Sequence, residues 1–267
     1  MINNVFRVIG IRRSGNHAII NWLCGLYDPN YTKFINDINP QFGKFRINYF
    51  RNNISPNSMI PCLKNTELKK AVNIIFSHEN RNLYNVNYFI DEQSFSKHNF
   101  HTIIVMRDFF NMMASQFMAH EKLKWLFKVN DSEYVKREVT FWKQYANEFI
   151  GNTDILRFNF GTVIKINYND WVINKEYRKS IASKCSGAIF SDRCLNGISP
   201  WGYGSSFENN KKLVNKLKNN EYDRRKFLTR YKQCLHIPEY RKLFEDRELV
   251  ELSYKIFGID YDLSYKN

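Results

Sequence analysis

Residues Val5 to Leu23 constrain this chain more than any other stretch: Val-Phe-Arg-Val-Ile-Gly-Ile-Arg-Arg-Ser-Gly-Asn-His-Ala-Ile-Ile-Asn-Trp-Leu. Val5 to Ile11 is short, apolar and β-branched, the composition of a buried strand. Arg12 to Asn16 is polar and holds a glycine. From His17 to about Tyr27 the apolar residues fall at helical spacing. A strand that breaks into a glycine-containing loop and re-enters a helix aims successive backbone N–H groups and a helix N-terminus at one point, a geometry that binds phosphate or sulfate.

Gly10 and Gly15 have the spacing of the Walker loop, but Asn16-His17 stands where Lys-Ser/Thr would follow. An NTPase needs that lysine on the β/γ-phosphates and that hydroxyl on magnesium. With both missing, and with Arg12 and Arg13 inside the loop, the stretch reads as a site for an anionic, nucleotide-like group without a metal.

Further strands are predicted at Asn73–Phe76, His101–Met106 and Thr162–Tyr168. Helices are predicted from Phe109 to about Lys128, over Ser132–Ile150 and Lys175–Cys185, around Phe227–Leu235, and from Pro238 to a stop at Gly258. Strands alternating with helices predict an α/β fold: one P-loop-type three-layer domain over residues 1–267, with a central parallel sheet flanked by helices. Residues 28–72 carry Pro29, Pro40, Pro56 and Pro61 and read as a lid or binding-loop insertion. Its aromatics, Tyr31, Phe34, Phe42, Phe45, Tyr49 and Phe50, are suited either to stacking on a ligand or to packing.

Forty Lys+Arg against 26 Asp+Glu give a formal charge of +14, which favours anionic partners without choosing among them. Five cysteines, an odd number with no Cys-x-x-Cys pair, argue against a zinc ribbon or disulfide framework and for reduced thiols. No apolar run approaches the roughly 18 residues of a membrane span, and Arg7 interrupts the only apolar stretch near the start. A soluble, cytoplasmic protein is expected.

In an open parallel sheet, ligands sit at the carboxyl ends of the strands. Four predicted strands end in Arg12-Arg13, His78-Glu79, Arg107-Asp108 and Tyr168. Arg13-Ser14-Gly15-Asn16-His17 resembles the Lys/Arg-Ser-Gly-Thr-Thr loop of the PAPS-dependent sulfotransferases. Arg107 with Ser115 is similar to that family's Arg…Ser pair for the 3′-phosphate, and Asn167-Tyr168-Asn169-Asp170 to its Tyr-Glu-Asp segment. Ser205-Ser206-Phe207 resembles its Thr-Ser-Phe, and Arg224-Arg225-Lys226 before Tyr231-Lys232 its Arg-Lys-Gly…Trp-Lys closing segment. The matches run in family order from about residue 5 to 235. Asn16 and His17 depart from two threonines, Lys226 from a glycine and Tyr231 from a tryptophan.

The resemblance implies an enzyme that moves a sulfuryl group from PAPS to a hydroxyl or amine of a small-molecule or glycan acceptor, with no metal. Arg12, Arg13 and the backbone of Ser14, Gly15, Asn16, His17 and Ala18 would hold the phosphosulfate, Arg13 also stabilising charge on the bridging oxygen. Arg107, Ser115, Arg224 and Arg225 would hold the 3′-phosphate. Tyr168 and Phe207, with Ser205, would lie at the adenine, and residues 28–72 at the acceptor. His78 or Glu79 would take the acceptor's proton: histidine, with an ordinary pKa of about 6.5, suits that task, and some glycan-acting relatives use a glutamate. Two other readings stand beside this one. A divergent P-loop nucleotide kinase or NTPase would have Asp108 as its strand-end aspartate. A non-catalytic polyanion-binding module would explain the charge but not the ordered strand ends. No nucleic-acid partner is expected, since the chain has no RRM, KH or zinc-knuckle signature.

Overall fold

A computed structural model describes residues 3–28, 30–37, 72–87, 95–120, 128–157, 161–195 and 223–263. The elements are β1 (Asn4–Gly10), α1 (Asn16–Gly25), β2 (Thr32–Ile35), β3 (Asn73–Glu79), a short α2 (Leu83–Asn87), β4 (Asn99–Met106) and α3 (Phe109–His120). They continue with α4 (Ser132–Ile150), β5 (Thr162–Asn167), α5 (Tyr168–Ile173), α6 (Lys175–Ser183), 3₁₀ turns at Arg224–Leu228 and Arg230–Cys234, α7 (Pro238–Arg241), a 3₁₀ turn at Lys242–Glu245 and α8 (Arg247–Phe257).

The five strands form one all-parallel sheet in the order β2-β3-β1-β4-β5. Every residue of β1 is buried, as a central strand covered on both faces requires. Side chains alternate between two cores. On one face Ile9, Ile104 and Met106 pack with Phe110 and Met113 of α3, Trp142 of α4 and Leu249 of α8. On the other, Phe6, Val8, Ile103, Val105 and Ile164 pack with Ile19 and Leu23 of α1, Trp171 of α5 and Ile181 of α6. The α/β architecture with helices on both faces of a parallel sheet is therefore the one expected. The chain leaves β1 toward β2 and β3 on one side and resumes at β4 on the other. The crossover direction thus reverses beside β1, and its carboxyl end is the sheet's switch point.

Several expected boundaries differ. The first helix opens at Asn16 and closes at Gly25. Tyr168 is not the last residue of a strand but the first of α5, because the Asn167 carboxamide accepts from Asn169 N and Asp170 N and caps a helix there. The stretch 28–72 contains a sheet strand, Thr32–Ile35, whose four residues are too few to show alternation; residues 38–71 lie outside the described residues. The expected helix at Phe227–Leu235 is a pair of 3₁₀ turns. The expected final helix is broken at Asp246, whose carboxylate accepts from Leu249 N and starts α8 afresh. Cys24, Cys185, Cys194 and Cys234 are all unpaired thiols. Among the described residues, no helix is long and apolar enough to cross a membrane.

Candidate functional site

The loop between β1 and α1 sits at the switch point, and it closes because two glycines admit neighbours that no side chain would. A Cβ on Gly10 would stand 2.0 Å from Asn16 Oδ1. Gly15 has φ +92° and lies under the Tyr168 ring. Arg13 is also left-handed, at φ +70°, a conformation that costs a non-glycine residue about 1–3 kcal/mol unless its surroundings impose it.

Those surroundings hold the residue before it at both ends. Arg12 N–H donates to Asn80 Oδ1 at 2.6 Å, and its carbonyl accepts from Gln116 Nε2 at 3.3 Å. Asn80 and Gln116 in turn donate to the two oxygens of Glu138, at 2.8 and 3.1 Å, while Tyr134 donates to Gln116 Oε1 at 3.0 Å. Glu138 is fully buried, and its carboxylate is matched by donors as burial demands. Asn80, Gln116 and Glu138 carried no motif, and only their packing under the loop reveals them.

Of the five N–H groups from Ser14 to Ala18, Ser14's goes to Ile11 O and Ala18's to Gly15 O, each at 3.0 Å. Those of Gly15, Asn16 and His17 belong to the opening of α1, where a helix has no acceptor of its own. The Ser14 hydroxyl is buried against Met112 Sδ at 3.5 Å. Ser115, one turn further along α3, is likewise buried.

On the β4 side of the loop the site is cationic. Arg107, only 5% exposed, donates through Nη1 to Arg13 O at 3.0 Å and through Nη2 to Phe227 O at 3.3 Å. Its guanidinium lies 5.4 Å from the centre of the Tyr168 ring, a favourable cation–π approach. Arg13 is pushed down to about 10, first by burial and then by the positive charge of Arg107, with Arg230 acting in the same sense and Glu79 against it. Arg230 is buried over the Phe227 ring at 4.3 Å. The 3₁₀ turns deliver it there because Asn111 accepts from Tyr231 N at 2.9 Å and donates to Leu228 O at 2.8 Å. Sequence reading missed Arg230 because a helix was expected where 3₁₀ turns stand.

Arg224 is half-buried, its pKa lowered by desolvation and by Arg178, near Tyr168. Arg225 instead faces solvent, paired with Asp223 at 3.0 Å, and does not join the cluster. The buried Arg107 Nε has no hydrogen-bond partner among the described residues. Like charges gathered under cover with an orphaned donor fit a multiply charged anion.

Asp108 follows Arg107 but is not turned to this cluster. Burial raises its pKa, and its oxygens accept from Asn111 N and Nδ2, Asn169 Nδ2 and Tyr261 Oη, at 2.9 to 3.4 Å. It ties β4, α3, α5 and the C-terminal segment together.

On the β2–β3 side, the strand-end pair separates by face. His78 is fully buried, edge-on to Phe76, two residues back on the same face. Glu79 turns to the loop and accepts from Asn16 Nδ2 at 3.0 Å. Arg12 likewise parts from Arg13, its guanidinium 3.8 Å from Asp37. Ser205 and Phe207 lie outside the described residues.

No family model matches the chain, and neither does any curated protein. Among solved structures, the sulfotransferase domain of the olefin synthase of Synechococcus PCC 7002 is similar with a TM-score of 0.48 and 12% identity, covering 98% of this chain and 96% of that one.

Proposed function

We propose that the chain is a sulfotransferase that takes a sulfuryl group from PAPS and gives it to a hydroxyl or amine. The observation that carries this reading is the cluster of half-buried Arg13 with buried Arg107 and Arg230 beside the N-terminus of α1, with no lysine or hydroxyl in the Walker positions. Asn16 and His17 hold those positions, and their side chains are committed to Ile11 O and Glu79 and to Asn36, respectively. The N–H groups of Gly15, Asn16 and His17, with Arg13, would hold the 5′-phosphosulfate. Arg107, Arg230 and Arg224 would hold the 3′-phosphate, and Tyr168 would lie at the base. When bound, the nucleotide supplies the sulfuryl group and departs with the electron pair of its sulfur–oxygen bond.

Glu79 takes the acceptor's proton in this reading, because it faces the loop while His78 is enclosed by the core. A base must reach the proton it removes.

Calorimetry against PAP (the desulfated nucleotide), Mg-ATP and a mixed oligonucleotide tests the proposal. PAP should bind without metal and more tightly than Mg-ATP. Equal or tighter binding of Mg-ATP would replace the reading with the kinase one, and binding of the oligonucleotide alone with the polyanion one.

A further inference from the structure

A second polar group lies across the loop from the arginines. His17 lies in the first turn of α1, with 16% of its side chain exposed and its Nδ1 3.9 Å from Glu79 Oε1. Its Nε2 is 2.8 Å from Asn36 Oδ1. The tautomer follows from the bonds around it. Asp37 N–H donates to Ser77 Oγ at 2.8 Å, and that hydroxyl donates to Asn36 Oδ1 at 3.4 Å. Asn36 Oδ1 is thus a shared acceptor, so His17 Nε2 bears a hydrogen and Nδ1 is the nitrogen presented to Glu79. Phe34 meets the ring edge-on. The other charges facing this pair are Asp37, Arg12, Arg81 and Arg13, whose charge Glu79 favours. The Asp37 carboxylate is engaged by Arg81 at 3.2 Å and Arg12 at 3.8 Å, which leaves Glu79 as the carboxylate aimed at the imidazole.

We propose that His17 is the positioning residue of the base and the destination of the acceptor's proton, received through Glu79. This rests on the sulfuryl-transfer reading. As the acceptor oxygen commits a lone pair to sulfur, its O–H bonding pair stays on oxygen. The proton passes to Glu79 Oε1 and, once the protonated carboxyl closes the 3.9 Å gap to hydrogen-bond distance, on to Nδ1, while Nε2–H remains on Asn36. No electrons are exchanged and no further reactant is needed.

The test uses the whole chain and the variants His17→Ala and Glu79→Gln. Its readouts are calorimetry with PAP, sulfate release from PAPS with water as the probe acceptor, and ¹⁵N spectra of the histidine rings without nucleotide. We expect His17→Ala to bind PAP as wild type does and to lose turnover by about a hundred-fold at unchanged KM, part of it restored by added imidazole. The wild-type His17 ring should be the Nε2–H tautomer. A turnover loss that imidazole does not restore, a parallel loss of PAP affinity, or an Nδ1–H tautomer overturns the inference, as does wild-type sulfate release no faster than that of Glu79→Gln. Failure of the wild type to bind PAP sinks the sulfuryl-transfer reading itself. Intact PAP binding with unchanged turnover in His17→Ala sinks the relay alone.

Discussion

The ring of Tyr168 lies so close over Gly15 that a Cβ there would stand 2.1 Å from its Cε2. The contact joins the start of α1 to the start of α5, at the two places where a strand end gives way to a helix. It also fixes the height of the aromatic face that Arg107 covers.

Gly15→Ala should therefore be costly twice, through φ +92° and through the ring. We expect a loss of about 1–3 kcal/mol, read by urea unfolding. Tyr168→Ala in the same chain should recover the part due to the clash but not the part due to the backbone. Full recovery would show that the conformation itself is not strained.

Arg107→Ala and Arg230→Ala should each weaken PAP binding about ten-fold or more, since a charged hydrogen bond is worth about 1.5–3 kcal/mol. Arg225→Ala should change it little, because that side chain is exposed and held by Asp223. Calorimetry ranks the three. A larger effect at Arg225 than at Arg230 would contradict the cluster described above.

Removing the Glu138 carboxylate should loosen the loop it never touches directly. Glu138→Ala leaves the Asn80 and Gln116 amides without their acceptor, a cost of about 1–3 kcal/mol for each stranded donor. Hydrogen exchange at the Arg12 amide should speed up by more than at amides of β4. Uniform acceleration would reduce the network to general stability.

His101 stacks on Phe6 and places Nδ1 2.7 Å from Thr162 Oγ1, and burial lowers its pKa below 6.5. Between its folded value and 6.5 the unfolded chain binds more protons, so stability rises with pH through that window and is complete above it. Acidification from pH 7 should cost wild type stability that His101→Phe keeps. The difference in unfolding free energy between the two, followed from pH 8 to 5, checks this. A difference that does not vary with pH would mean that the ring accepts its charge without penalty.

What the sequence determined alone is what neighbours in the chain determine. The strand, loop and helix from Val5 to Gly25, the alternation that makes a parallel α/β sheet, and Arg107 at the end of β4 all follow from local pattern, because hydrophobic period and glycine placement act over a few residues. Period two puts His78 and Glu79 on opposite faces, but not which face meets the loop. The register of β3 against β1, Gly10 beside Glu79, decided that. Arg225 and Arg230 look alike in a basic run, and only the anchoring of the 3₁₀ turns on Asn111 and Arg107 buried one and left the other in solvent. Asn80 and Glu138, 58 residues apart, meet only because α4 packs beneath the loop. Contacts of that separation depend on how faces pack against one another, and no window along the chain contains that information.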